Sequence, residues 1–229
     1  MTVKAIILDW MNTLAHAKPD NYEQYCQVCR EFGIEVSPDK IIRGIYAAVT
    51  QVPEGLPHKF SESGDPEVFV RFHNIVLSQA GVELPRDTVL EMLKRESQIA
   101  REETYVLYDD VLPTLKALKE RGLVLGLLTT IGKDMDIYRN LGLEPYLEFV
   151  VSSKEVGVTK PDPAIFLAAL ERAKVNASEA IYVGDQYETD VVGPRRVGIR
   201  PILIDRYDLL PEVSDCPRIH TLSELLEHL

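Results

Sequence analysis

The hydrophobic pattern from residue 112 onward alternates short apolar runs with amphipathic segments. The apolar runs predict strands at residues 123–128, 149–151, 180–183 and 201–204. The intervening segments predict helices at residues 112–121, 134–141, 164–174 and 189–197, and a capping box at residues 221–224 begins a last helix. An earlier apolar run, residues 5–8, predicts a buried strand that ends at Asp9. This alternation predicts an α/β fold with a Rossmann-like, doubly wound parallel sheet.

The pattern between residues 13 and 105 contains helical periodicity and no strand-like run. It predicts helices at residues 21–32, 38–49, 67–79 and 85–101, several of which follow a capping residue and a proline. Residues 53–66 are rich in proline, glycine and serine, which predicts a mobile loop. We therefore expect an α/β core formed by residues 1–14 and 105–229, with residues 15–104 inserted as an all-helical domain.

Composition narrows the possible partners and the cellular location. The chain has 229 residues, of which 45% are hydrophobic, and a formal net charge of −11. Such a charge disfavours binding to nucleic acid, whose phosphates attract lysine and arginine. The apolar run near the start is too short for a signal peptide or a membrane span, so we expect a cytoplasmic protein without a membrane partner. Cys26 and Cys29 lie three residues apart on a predicted helix, where packing is the favoured role.

Polar side chains follow several of the predicted strands. Asp9, Thr129 and Asp185 come directly after a strand, and Lys160 follows the strand at residues 149–151. Because ligands bind at the carboxyl ends of open parallel sheets, we expect these side chains to lie close together. Asp190 would add a third carboxylate. So many negative charges require a lysine and a metal cation to neutralise them, and oxygen ligands favour magnesium.

These motifs, in this order, resemble the four motifs of the haloacid dehalogenase-like (HAD) hydrolases, most of whose members are Mg²⁺-dependent phosphatases. The segment at residues 153–163, which ends Val158-Thr159-Lys160-Pro161-Asp162-Pro163, matches especially well. The inserted helices resemble the cap domain of the subgroup whose cap lies between the first and second motifs. The resemblance implies that a small phosphorylated molecule is the substrate.

The resemblance also implies roles for individual residues. Asp9 would be the nucleophile that forms an aspartyl-phosphate, Thr129 would donate to a phosphoryl oxygen, and Lys160 would neutralise charge. Asp9, the backbone carbonyl of Met11 and Asp185 would bind Mg²⁺ directly. Asp190 would act through water or by orienting Lys160. Thr130 stands where the family commonly has a substrate-facing asparagine.

The first motif departs from the family pattern at Met11. The phosphatases have Asp-x-Asp-x-Thr, and their second aspartate handles the proton, whereas this chain has Asp9-Trp10-Met11-Asn12-Thr13. Met11 keeps the backbone carbonyl but lacks the carboxylate. His16 could replace the missing acid, or it could be an ordinary polar loop residue. Asn12 replaces a usual glycine, and asparagine tolerates the left-handed backbone conformation.

Three alternatives to a phosphatase therefore stay open. Dehalogenases of the family also lack the second aspartate, although they typically lack the acidic fourth motif that Asp185 and Asp190 represent. Phosphonoacetaldehyde hydrolases share the Asp-Trp start and need a Schiff-base lysine, for which Lys59 is a candidate. The third alternative is a catalytically weakened HAD fold with a binding role. His58, Lys59 and Arg71 of the inserted domain are candidates for reading the substrate, and no sequence feature fixes an oligomeric state.

Overall fold

The computed structural model of the protein describes residues 2–52, 65–99, 104–130 and 135–229. The chain forms two compact units, one comprising Met1–His16 and Tyr105–Leu229 and the other Ala17–Thr104. Most of the predicted loop at residues 53–66, including His58 and Lys59, lies outside the described residues. No helix in the described parts of the chain combines the length and the apolar character that a membrane span requires.

The strands of the structure form two sheets. Their bounds are β1 (Ala5–Leu8), β2 (Ala15–Lys18), β3 (Thr104–Leu107), β4 (Val124–Thr129), β5 (Phe149–Ser152), β6 (Ala180–Gly184), β7 (Arg200–Ile204) and β8 (Arg218–Ile219). Six of them form a parallel sheet with the order β5-β4-β1-β6-β7-β8, and β2 pairs with β3. The predicted parallel sheet is confirmed, whereas β2, β3 and β8 were not predicted, and β2 contradicts the expectation that residues 13–105 contain no strand.

Strand β1 lies inside the large sheet, between β4 and β6. Leu8, its last residue, is in register with Leu127 on one side and Val183 on the other. The chain adds β4 and β5 on one side of β1 and then returns to add β6, β7 and β8 on the other. A sheet whose strand order reverses in this way opens a crevice beyond the carboxyl end of its central strand. That position belongs to Asp9.

The described residues of the Ala17–Thr104 unit form four helices, close to the four predicted segments, and they also include the end of β2, which was not predicted. The helices are α1 (Asn21–Glu31), α2 (Pro38–Gln51), α3 (Pro66–Gln79) and α4 (Arg86–Ile99). Their apolar faces form one core that includes Ile41, Val76, Met92 and the fully buried Cys29. Helices α2 and α3 pack tightly, because a Cβ atom on Gly44 would lie 2.6 Å from the carbonyl oxygen of Val76.

Helices cover both faces of the parallel sheet. They are α5 (Val111–Glu120), α6 (Met135–Asn140), α7 (Ser153–Val156), α8 (Pro163–Ala173) and α9 (Gly193–Arg195). Successive residues of β1 serve opposite faces: Ile6 and Leu8 pack in the cluster that contains residues of α5, and Ala5 and Ile7 in the cluster that contains residues of α8. Burial on both faces explains why the strands are continuous apolar runs.

Two predicted helices were wrong in type. The segment predicted as a helix at residues 189–197 is a π-helix at Tyr187–Val192 followed by the short α9. Its wide turn places Asp190 against the sheet, where its carboxylate contacts Lys160. The C-terminal segment after the Thr221 capping box is a 3₁₀-helix, Leu222–Glu227.

Candidate functional site

Asp9 stands at the carboxyl end of β1. Its backbone N–H donates to the carbonyl of Val183 at 2.9 Å, which extends the pairing with β6 by one residue. Thr129 ends the neighbouring strand β4 and is buried, and Asp185 follows the end of β6. The three residues therefore end adjacent parallel strands at one edge of the sheet, as the sequence predicts.

Lys160 binds two of the predicted carboxylates at once. Its Nζ atom lies 2.6 Å from Oδ1 of Asp9 and 2.7 Å from Oδ1 of Asp190. The same ammonium donates to the hydroxyl of Tyr182 at 3.1 Å, and its side chain is 5% exposed. A buried ammonium needs such partners because burial without them would be costly. Lys160 thus connects the first, third and fourth motifs.

Asp190 reaches this position because the backbone beside it is unusual. Its Oδ2 atom accepts from the backbone N–H of Gln186 at 3.0 Å, and Tyr182 donates its hydroxyl to Oδ1 at 3.2 Å. A Cβ atom on Gly184 would lie 2.6 Å from the Asp190 Cβ. The glycine at the end of β6 is therefore required for the approach of Asp190.

Asp185 completes a cluster of carboxylates. Carboxylate oxygens of Asp9, Asp185 and Asp190 all lie within 4.8 Å of one another. Asp185 is half-buried, and its Oδ2 accepts from Nδ2 of Asn12 at 3.1 Å. Asn12 has φ of 56°, the left-handed conformation expected for it from the sequence. The loop after β1 therefore contacts the fourth motif directly.

Residues 10–15, which we call the nucleophile loop, form a compact turn. The N–H groups of Leu14 and Ala15 both donate to the carbonyl of Trp10, and Asn12 N–H donates to the carbonyl of Ala15 at 2.7 Å. Trp10 is buried, and Met11 packs partly buried against the same hydrophobic core. The turn thus places an apolar side chain at position 11.

Burial and the neighbouring charges shift the pKa values of the cluster. Burial raises the pKa of Asp9 to about 6; Lys160 opposes this effect, and the carboxylate of Asp190 adds to it. Burial, with the charges of Asp9 and Asp190, also raises the pKa of Asp185 well above its usual range. Burial alone would lower the pKa of Lys160, but Asp190 and Asp9 raise it well above the ordinary value. The site therefore holds a protonated lysine beside two carboxyl groups, Asp9 and Asp185, whose raised pKa values make them ionise less readily than usual.

This donor set suits a divalent metal ion. Three carboxylates face one ammonium, so full ionisation leaves an excess of two negative charges. Mg²⁺ prefers carboxylate and carbonyl oxygens and keeps several waters. Asp9 and Asp185 can supply carboxylate ligands. The residues present therefore fit the metal.

The structure places the other predicted residues in different surroundings. Thr130 is exposed, directly after β4. His16 lies on β2, and its ring packs against Tyr108 with 4.8 Å between the ring centroids. Arg71 lies on α3 in the helical unit. Tyr182 was missed, because one tyrosine within an apolar strand is indistinguishable in sequence from an ordinary core residue.

Comparisons with known proteins agree with this architecture. Residues 3–198 match the model of the haloacid dehalogenase-like hydrolase family. The chain is 31% identical over 230 residues to haloacid dehalogenase-like hydrolase domain-containing protein 3 of Danio rerio, covering 98% of this chain and 94% of that protein. It is 41% identical over 113 residues to glyceraldehyde 3-phosphate phosphatase of Methanopyrus kandleri, covering 47% and 48% of the two chains.

A solved structure also matches over nearly the whole chain. The 2-haloacid dehalogenase of Pseudomonas syringae superposes with a TM-score of 0.58 and 26% identity, covering 99% of this chain and 97% of that one. The fold, the order of the motifs and the family match lead to one conclusion: the chain belongs to the haloacid dehalogenase-like hydrolase family.

Proposed function

We propose that this hydrolase is a Mg²⁺-dependent phosphatase that acts on a small phosphorylated metabolite through an aspartyl-phosphate on Asp9. The observation that carries the proposal is the position of the Lys160 ammonium between Asp9 and Asp190, beside the carboxylate of Asp185. A nucleophilic carboxylate, a fixed cation and an oxygen-rich metal site are the components that phosphoryl transfer requires.

The reaction uses each of these side chains differently. An oxygen of ionised Asp9 forms a bond to phosphorus while the bond from phosphorus to the leaving oxygen breaks, and water then hydrolyses the aspartyl-phosphate. Lys160 keeps Asp9 ionised and offsets negative charge on the phosphoryl group. Thr129, buried at the end of β4, donates its hydroxyl to a phosphoryl oxygen.

Asp9, the carbonyl of Met11 and Asp185 would hold the Mg²⁺. The bound metal would supply electrostatic stabilisation of the phosphoryl oxygens. Asp190 acts mainly on Lys160, since its Oδ1 already accepts from the ammonium and from Tyr182. Thr130, exposed directly after β4, contacts the substrate.

Met11 changes the proton handling and not the nucleophile. A methionine side chain cannot protonate a leaving alkoxide or activate water, so both steps lose general acid-base catalysis. Such catalysis typically contributes about 10²- to 10⁴-fold. We therefore propose a slow phosphatase, with His16 as the candidate substitute acid.

The helical unit Ala17–Thr104 acts as a cap that selects the substrate. It interrupts the α/β unit between the first and second motifs, where an insertion follows the nucleophile directly. One relative is named for its action on glyceraldehyde 3-phosphate, which supports a small phosphorylated substrate here. A cytoplasmic location and the lack of nucleic-acid partners stay predictions from composition.

A panel of phosphate esters and 2-haloacids, assayed with and without Mg²⁺, tests the proposal. We expect turnover of phosphate esters that requires Mg²⁺. Calorimetric titration should show Mg²⁺ binding that Asp185→Asn weakens and that Asp109→Asn, a change at an exposed carboxylate of the same unit, leaves intact. Equal Mg²⁺ affinity for wild type and Asp185→Asn would contradict the metal site.

Dehalogenation is the second candidate, and the apolar Met11 favours it. In that reaction Asp9 displaces halide from carbon, and no metal is needed. Release of halide from a 2-haloacid in the presence of a chelator would establish this activity in place of the first.

Borohydride trapping with phosphonoacetaldehyde, compared between wild type and Lys59→Ala, tests the phosphonatase alternative. Folded, Mg²⁺-bound protein that turns over no substrate would point to a binding role.

A further inference from the structure

We propose that Arg206 is a positioning residue that holds the nucleophile loop in its reactive conformation. Its guanidinium contacts the loop at the carbonyl oxygen of Thr13, with Nη2 at 2.7 Å and Nε at 3.3 Å. Thr13 is fully buried and lies four residues after Asp9. Two measurements test this inference, kcat and the fluorescence of Trp10, and only the first rests on the proposed phosphatase activity.

The guanidinium is itself fixed by a half-buried partner, Asp110. Its Nη1 and Nη2 atoms donate to the two carboxylate oxygens of Asp110, at 3.0 and 3.1 Å. The guanidinium carbon lies 3.8 Å from the centroid of the Tyr108 ring, and the Arg206 side chain is 8% exposed. A bidentate ion pair stacked on an aromatic ring leaves the arginine little freedom.

Asp110 is held in turn by other elements of the same unit. It precedes α5, and its Oδ2 also accepts from the backbone N–H of Leu222 at 2.5 Å. The backbone N–H of Tyr108 donates to the carbonyl of Leu14 at 3.1 Å, which ties the loop to the same segment. The Thr13 carbonyl is therefore held in place through contacts that involve α5, the segment after β7 and the C-terminal 3₁₀-helix.

The position of this carbonyl affects the reacting groups. The N–H groups of Leu14 and Ala15, which follow Thr13, donate to the Trp10 carbonyl, so a shift at Thr13 would be transmitted to Trp10. The loop also presents Asn12 to Asp185. Misplacement of a reacting group by about 1 Å can cost about 10²-fold in rate. Arg206 therefore acts on catalysis through the loop and without touching the substrate.

The test variant is Arg206→Lys, with Arg218→Lys as its matched control. Lysine keeps the charge beside Asp110 but cannot reproduce the planar fork that also reaches Thr13. Arg218 pairs with Asp205 and Asp208 in the same unit and has no hydrogen bond to the loop in the described structure. We expect kcat of Arg206→Lys on an aryl phosphate to fall about 10- to 100-fold, with KM changed less than about twofold.

Trp10 provides a readout that does not depend on activity. It is the single tryptophan of the chain, it lies in the nucleophile loop, and it is 2% exposed. We expect acrylamide to quench its fluorescence more strongly in Arg206→Lys than in wild type, while Arg218→Lys resembles wild type. Inactive wild-type protein would refute the phosphatase proposal, and the quenching comparison would still test Arg206.

Several outcomes would overturn the role of Arg206. One is wild-type kcat and quenching in Arg206→Lys. Another is an equal loss of kcat in both arginine variants. A third is a lowered Tm with unchanged kcat at a temperature where the variant is folded.

If Arg206→Lys does not fold, Asp110→Asn replaces it, since the amide oxygen can still accept while the ion pair is lost. For Asp110→Asn, a decrease in kcat smaller than the one expected for Arg206→Lys, together with increased quenching of Trp10, supports the proposal. Wild-type kcat and quenching in Asp110→Asn contradict it.

Discussion

Asn12 donates from Nδ2 to Oδ2 of Asp185 at 3.1 Å, although 173 residues separate them. The side chain beside Met11 thereby contacts the carboxylate that follows β6. The contact depends on the left-handed backbone of Asn12, whose φ is 56°. Where the family usually has glycine, this chain has a residue that keeps the conformation and adds a hydrogen bond to the carboxylate cluster.

Substitutions of Asn12 should separate these two contributions. Asn12→Gly keeps the backbone and removes the hydrogen bond, so we expect weaker Mg²⁺ binding with little loss of stability. Asn12→Ala should in addition lower the free energy of unfolding by about 1 kcal/mol, because alanine tolerates positive φ poorly. Calorimetry and urea unfolding check both changes. Equal stability of the glycine and alanine variants would contradict the backbone argument.

Asp9→Asn should reduce hydrolase activity to the level of the buffer control. An amide is too weak a nucleophile to form the covalent phosphoryl ester, and the fold should survive because the amide can still accept from Lys160. Product release from an aryl phosphate measures the loss, with circular dichroism as the check on folding. Turnover close to wild type would require a different nucleophile.

Lys160→Ala and Tyr182→Phe should both lower kcat, and the loss should be larger for Lys160→Ala. Lys160→Ala removes the cation between Asp9 and Asp190, and we expect a loss of about 100-fold or more, as for removal of one charge-stabilising donor. Tyr182→Phe removes only one hydroxyl that contacts Lys160 and Asp190, so its loss should be smaller. Steady-state kinetics of the two variants tests the ranking, which a larger defect in Tyr182→Phe would refute.

Met11→Asp should raise phosphatase turnover. The change introduces a carboxylate where the phosphatases have their acid-base residue. A well-placed group of this kind increases the rate about 10²- to 10⁴-fold. Because Met11 packs against apolar neighbours, desolvation of the new carboxylate should keep the gain below that range. The kcat values of wild type, Met11→Asp and Met11→Asn are compared at matched Mg²⁺. No gain in a folded, Mg²⁺-bound aspartate variant would favour a different reaction.

The contribution of Asp9 to the stability of the metal-free protein should fall between about pH 4 and pH 6. Folding raises the pKa of Asp9 from 3.8 to about 6, so the folded state holds this proton more tightly than the unfolded chain. The resulting stability is present below pH 4 and is lost as the pH rises through about 6. Urea unfolding in a chelator should show a smaller pH dependence for Asp9→Asn than for wild type. Asp109→Asn is the control. Parallel curves of stability against pH for Asp9→Asn and wild type would contradict the raised pKa of Asp9.

The sequence alone determined the fold class and the family. Parallel strands buried on both faces must be continuous apolar runs, and the helices between them must be amphipathic, so β1, β4, β6 and β7 are visible in the pattern. Motif residues directly after such strands necessarily meet at one edge of the sheet. Asp9, Thr129 and Asp185 could therefore be predicted to cluster from the strand pattern, whereas Lys160 and Asp190 were added by the resemblance to the family.

Tertiary structure alone decided how these side chains are supported. The contact of Asp190 with Lys160 depends on a π-helix and on the absence of a Cβ at Gly184, and neither local periodicity nor propensity indicates such a turn. Tyr182 and Arg206 belong to the site only through partners 22 and 193 residues away in the chain. Secondary structure reflects the local periodicity of side chains, whereas these partnerships arise only when distant segments pack, so they could not be predicted from the pattern of one chain.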